Sequence, residues 1–505
     1  MNPVNARPSP PRLSPANAGL RRPFSAGAQR FRPLFFAGLT WLALGGRPPS
    51  TAAAESSPAE SPPAARDLPA SAPADEIILG VTLPLSGRFQ SYGQSALTGV
   101  QARVREQNAA GGVNGRQVRL VSRDNQSEAD KATSDINILS RNLHRPAVAI
   151  IGPLLAEALA AAHEIVGSRE DQQKVVVVSP LANLKFVRSD DPPWVFTLGL
   201  DSMLQARALA RCTVEDFGAA TAAVLVDARY EASWEMALDF RRAFADEGGT
   251  ITTVAVFKTE NISMHSPPAD SEIHDWPAPV PLADAIDLLA REERPPDLIY
   301  IPCYAEDIIS IVRDIGKRPT LAYTRLCGPD LWDNQLVFDG AGKRVLDACF
   351  TSVVPELSLN YPPFQHFVAL MREAGMNMPD AQAICAYDAT SLLLNAMAAG
   401  DGSPEAIRDE LLRIRRFPLA TGSTSIAPNG SAIKPIMLRI MEVQDGWPTP
   451  VYTLPPTEFR FPAHPPAPST PSASSTPSTG SPSVSPEPPD ASAPRPDGKT
   501  DSASP

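Results

Sequence analysis

A pair of carboxylates such as Glu157 and Asp330 is what general acid–base chemistry would require, but no nucleophile stands near either one in the chain. The segment Gly340–Arg344, GAGKR, imitates the end of a phosphate-binding loop. It fails as one, because Val337 occupies the place of the upstream glycine and Arg344 that of the hydroxyl residue. No G-x-S-x-G elbow and no H-E-x-x-H pair occur. The five cysteines, Cys212, Cys303, Cys327, Cys349 and Cys385, include no C-x-x-C pair, and the six histidines fall at no paired spacing, so no metal site is expected. Cys349 falls in an expected strand and Cys385 in an expected helix, where buried thiols belong, while a Cys303–Cys327 disulfide stays open for an oxidising compartment. The chemistry these residues offer is recognition by charge and shape, not catalysis, and no cofactor is called for.

The elements that must position such residues begin with Glu76 to Gln126. Ile77 to Leu83 is a short apolar run of the kind that forms a strand buried on both faces. Pro84 ends it, and Ser86 and Gly87 open a loop at the strand's carboxyl end, the edge where open α/β sheets bind ligands. Ala96, Val100 and Val104 recur every four residues and predict a helix, which the glycines of AAGGVNG stop before a second strand at Gln117 to Val121. Strands and helices alternate from there on: helix 129–143, strand 147–151, helix 157–166, strand 175–178, then a second series from Ser202 with strands at 221–226, 251–257 and 298–302. That alternation is the pattern of an α/β fold.

Composition sets the limits. With 505 residues and 43% hydrophobic content the chain can bury more than one sizeable core. A formal net charge of -11 and no long basic stripe argue against nucleic acid as a partner. The 55 prolines crowd the two ends. Residues 1–54 read as a secretory signal, with a basic region through Arg32, an apolar core at Pro33 to Gly46 and a small-residue exit at Thr51 to Ala54. No cysteine lies there to carry a lipid anchor. Residues 55–75 read as a Pro/Ala/Ser-rich linker, and 460–505 as a disordered tail, either a spacer or an unconstrained extension. A periplasmic location follows.

PLSGRFQSYG followed by NAAGGVNGR closely resembles the opening of the type I periplasmic binding proteins, in the branched-chain amino-acid branch that feeds ABC importers. PDAQAICAYDA, Pro379 to Ala389, and LATGSTSIAPNGSAIKP, Leu419 to Pro435, resemble that family's late signatures, so the likeness runs from Glu76 to Tyr452. It implies two Rossmann-like lobes joined by a three-crossover hinge, with crossings near Leu198, Val354 and Met437. Lobe I would be 76–198 plus 354–436, and lobe II 199–353 plus 437–459. It also implies a monomer that captures a small polar ligand (an amino acid, amide or amine) between its lobes and delivers it to an ABC permease. The alternative is a sensing or protein-partner module on the same fold.

Carried over residue by residue, the resemblance implies that Tyr92 lines the side-chain pocket, and that Asn183 stands where a hydroxyl residue usually contacts both ends of an amino acid. Tyr230 and Tyr304 are matched to aromatic positions of the second lobe, and Asp330 to the acid that receives the ligand's ammonium. Asp330 also reads as a helix N-cap before Leu331. The departure is GPLLAEA: Ala156 fills the place of a serine that holds the ligand carboxylate, and Glu157 follows it. Glu157 either repels a carboxylate or points to solvent from the first turn of a helix. The long connection Thr259 to Pro281 reads as a solvated loop, with decoration of the cleft mouth by His265, His274, Asp275 and Trp276 as the alternative.

Overall fold

The computed structural model describes residues 76–170, 174–182, 193–258, 273, 275–291, 293–340, 348–355, 359–376, 379–444 and 447–454. The signal, linker and tail segments, Asn183, His265 and His274 lie outside the described residues.

The chain opens with β1 (Ile77–Leu83), α1 (Gln90–Ala109), β2 (Val118–Asp124), α2 (Ala129–Asn137), β3 (Ala149–Ile151), α3 (Ala156–Gly167), β4 (Val176–Ser179) and β5 (Val195–Thr197). These strands form a parallel sheet in the order β2-β1-β3-β4-β5. Every residue of β1 is buried, because helices cover both faces of a parallel sheet. The second series runs α4 (Ser202–Glu215), β6 (Thr221–Asp227), α5 (Glu231–Asp246), β7 (Thr250–Lys258), β8 (Val280–Pro281), α6 (Leu282–Ala290), β9 (Leu298–Tyr300), α7 (Ala305–Ile315), β10 (Arg325–Gly328), α8 (Gln335–Gly340) and β11 (Cys349–Ser352). Then come α9 (Pro362–Glu373), α10 (Ala381–Ala399), α11 (Pro404–Arg413), a small antiparallel sheet of β12 (Phe417–Leu419), β13 (Gly422–Ile426) and β14 (Ala432–Ile433), and finally β15 (Ile436–Gln444) and β16 (Trp447–Leu454).

The second sheet has the order β16-β15-β11-β10-β9-β6-β7-β8. It is parallel from β11 to β8, and β15 runs antiparallel to both of its neighbours. Helices α9 and α10 turn away from this sheet to pack on α1, and α10 also meets β3 and β4. The chain therefore changes sheets between β5 and α4, between β11 and α9, and between β14 and β15. This is the mixed α/β architecture with parallel sheets that the sequence leads one to expect.

One reading left open is settled and one expectation needs correction. All five cysteines are buried and none is in a disulfide, so Cys303 and Cys327 are not joined. The register explains it: Cys327 pairs with Tyr300 on one side and Cys349 on the other, while Cys303 lies beyond the end of β9. Trp276 is not a solvated loop residue; its ring stacks on Trp234 at 5.9 Å and packs against the core. Among the described residues no helix is long and apolar enough to cross a membrane, and no group of acidic, His and Cys side chains is placed to hold a metal.

α1 and α10 touch closely at Gly99, where an added Cβ would stand 2.1 Å from the Ala383 carbonyl oxygen. The obstacle is helix backbone and cannot swing aside. Gly99→Ala is expected to destabilise the fold by about 1–3 kcal/mol, read from the midpoint of denaturant unfolding. An unchanged midpoint would mean that the two helices are not held at this distance.

Candidate functional site

The loop after β1 is set by hydrogen bonds, not by chance collapse. Asp124 at the end of β2 accepts from the Leu85 and Ser86 backbone N–H groups (2.9 and 3.1 Å) and from the Ser86 hydroxyl (2.6 Å). The Ser127 hydroxyl accepts from the Phe89 N–H and donates to the Ser86 carbonyl. Gly87 has φ of +80° and lies so close to the Gln126 carbonyl that a side chain there would collide. The PLSG motif is thus a clamp that fixes where α1 begins. Arg88, Phe89, Ser91 and Tyr92 all reach the second sheet's elements from there.

Tyr92 makes the central contact. Its buried hydroxyl donates to the Leu331 carbonyl at 3.0 Å and accepts from the Ala305 N–H, the first amide of α7, at 2.9 Å. Burial lifts its phenol pKa well above the ordinary value, so it stays a neutral donor. Around it the rings interlock: Tyr304 lies 6.1 Å from Tyr92, 4.8 Å from Tyr230 and 4.6 Å from Phe89 between centroids. At the rim, Asp307 takes an ion pair from Arg88 and another from Arg229 at 2.8 Å, and Arg229 also grips Asp227. The Ser91 hydroxyl donates to Glu306 at 3.0 Å. The other Glu306 oxygen is buried without a hydrogen-bond partner, and burial pushes this carboxyl up to about 7.

Behind this seam lies a cavity of about 50 Å³. Leu154, Leu155 and Ala156 bound it at the start of α3, Leu181, Ala182 and Leu200 on one flank, and Ala232, Met236 and Leu331 on the other, with the Tyr92 and Tyr304 rings. Its polar lining is Ser202, Gln205, Glu235, Asp330 and Gln382. Asp330 is held by a short turn that follows β10, anchored where the Trp332 indole donates to the Ile301 carbonyl and the Asp330 N–H donates to Gln205. It is 7% exposed, and burial pushes its carboxyl up to about 7. The contact with Gln205 and the field of Lys434 pull the other way, while Asp333 adds to the rise.

Of the residues singled out from sequence, Tyr92, Ala156, Tyr304 and Asp330 line one cavity. Tyr230 does not line it: it stands against Tyr304 and Phe89 under the Arg88 guanidinium. Asp330 is not an N-cap, since Pro329 holds that position and no side chain caps the turn. Glu157 does not line the cavity, although its charge reaches the Tyr304 phenol. Leu154, Leu155, Met236, Gln205 and Phe89 were not singled out; Phe89 and Leu154 lie inside or beside the quoted motifs, whereas Gln205 and Met236 carry no local signal.

Comparison with known proteins follows this geometry. Residues 76–268 match the family model described as periplasmic binding protein. A leucine-binding protein from Thermotoga maritima, 23% identical, superposes with a TM-score of 0.63 over 76% of this chain and 100% of its own. A Rhodopseudomonas palustris ABC-transporter solute-binding protein, solved with benzoate, is 20% identical with a TM-score of 0.61 over 75% and 96%. An amino acid binding protein of Pseudomonas aeruginosa is 27% identical over 105 residues, 21% of this chain and 26% of that protein, so the match spans about a quarter of that relative's length. The fold is that of the type I periplasmic binding proteins. The resemblance read from PLSGRFQSYG is borne out as a likeness to that fold and to the periplasmic binding protein model over residues 76–268.

Glu306 sets a pH dependence. Its carboxyl titrates at a higher pH folded than unfolded (4.5), so the stability it contributes is full below about 4.5 and is lost as pH rises through about 7. Glu306→Gln should match the parent near pH 4 and exceed it by about 1–3 kcal/mol at pH 8. Parallel stability curves for the two proteins would contradict this.

Proposed function

We propose that this chain is a periplasmic solute-binding protein, not an enzyme, that takes a small polar ligand (an amino acid, amide or amine) into the cavity between two lobes and presents the closed form to an ABC importer in the inner membrane. Lobe I is read as 76–198 plus 354–436 and lobe II as 199–353 plus 437–459, working as a monomer. The observation that carries the reading is the cavity itself: it is built from elements of both sheets and sealed on one side by the Tyr92 hydroxyl bridge. A ligand held there touches both lobes at once, so it stabilises the closed arrangement by its differential affinity for it. The predominantly apolar wall with a few convergent polar groups is also the usual constitution of a small-molecule site.

The test is a thermal-shift screen of the full chain against amino acids, short amides, amines and aromatic acids. A ligand at a hundred times its dissociation constant should add about 2.7 kcal/mol of stability. Asp330→Ala should weaken any ammonium-bearing ligand far more than Ala156→Ser does. If no solute class moves the transition, capture of a small solute is the wrong reading, and a protein-partner role on this fold takes its place.

A further inference from the structure

The cavity's charge and hydrogen-bond accounts are unequal at its two poles, and this inference rests on the solute-capture reading. On the acceptor side stand two carboxylates, Asp330 and Glu235. Asp330 is more than nine-tenths buried, lines the cavity and makes no ion pair among the described residues. An ionised carboxylate only accepts hydrogen bonds and demands a cation when water is excluded. The Tyr92 and Tyr304 rings beside it offer π faces to the same kind of charge.

The donor side is nearly spent. The Ser202 hydroxyl donates to Asp239 at 2.6 Å, and the Gln205 amide nitrogen to the Leu200 carbonyl at 3.3 Å. Tyr92 has given its only proton to Leu331. No Lys, Arg or His among the described residues lines the cavity. A ligand carboxylate would be left with the Gln382 amide and the first backbone amides of α3. There Ala156 brings no hydroxyl, and Glu157 places a negative charge in the same turn.

We propose that this cavity takes a small alkylammonium ion with an apolar body and no carboxylate. Asp330 pairs with the ammonium, and Leu154, Leu155, Leu181, Leu200 and Met236 enclose the hydrocarbon. At about 50 Å³ the cavity is on the scale of a small solute. The groups that face Asp330 are Lys434 on the segment before β15, Asp333 on its own turn, Cys385 on α10, and the phenols of Tyr92 and Tyr300. Lys434 is buried with its ammonium on the Cys385 sulfur at 3.4 Å, so it moderates the Asp330 charge from behind without pairing with it.

The experiment is titration calorimetry on the full chain with isobutylamine, L-leucine and benzoate, at pH 8 and pH 5.5. Isobutylamine stays protonated at both, so a change in its affinity reports the protein. It should bind at pH 8, at least tenfold more tightly than leucine or benzoate, and weaken about tenfold at pH 5.5 as Asp330 takes up a proton. Asp330→Asn should cost a similar factor at pH 8 and abolish the pH dependence. The wild-type pH dependence carries the test alone if that variant does not fold. Tighter binding of leucine or benzoate than of isobutylamine overturns the inference and leaves solute capture standing. Failure of all three to bind also overturns it, and the wider screen then decides separately whether any solute is captured.

Discussion

One hydroxyl group holds the site together. Tyr92 projects from a helix of the first sheet and uses both capacities of its O–H on the second, donating to Leu331 and accepting from Ala305. Each partner has few alternatives: the first amides of a helix have no acceptor within it, and the Leu331 carbonyl lies in a turn too short to satisfy it. The bridge therefore depends on three separate local structures, namely the clamped loop that starts α1, the start of α7 and the turn after β10. The aromatic packing of Phe89, Tyr230 and Tyr304 excludes water from the bridge, which strengthens it.

The same exclusion of water is costly for the acids nearby. Asp330, Glu306 and Asp380 are all pushed up, to about 7, 7 and 6, by burial first and by neighbouring carboxylates second. Asp380 is repaid by the Ser95 hydroxyl and the Ala383 amide at the start of α10, so it acts in the fold. Asp330 has no such repayment from hydroxyl groups and faces the cavity. A buried acid that faces a cavity and whose neighbouring cation, Lys434, does not pair with it is a candidate for a functional site.

The fold was legible because its signals are local. Buried runs such as Ile77 to Leu83, the four-residue spacing of Ala96, Val100 and Val104, and the glycine stops are each written within a few residues. Tyr92, Ala156, Tyr304 and Asp330 came from the family resemblance, not from any local pattern; they meet at one cavity because each follows the carboxyl end of a strand. Tyr230 occupies an equivalent position yet packs behind Tyr304, since Phe89 and Arg88 fill the space in front of it; that depends on how two distant loops meet. Gln205 and Met236 sit in helices whose patterns only say that one face is buried. The Arg88–Asp307 pair joins residues on different sheets, and nothing at either position marks the other.

The most direct measurement is amide hydrogen exchange at Ala305, whose N–H donates across the seam to the Tyr92 hydroxyl. If the two lobes close on a solute through this bridge, exchange at Ala305 slows when a bound solute is added and stays fast in Tyr92→Phe under the same conditions. Exchange at Ala305 that is equally slow with and without solute, and unchanged in Tyr92→Phe, would contradict the account.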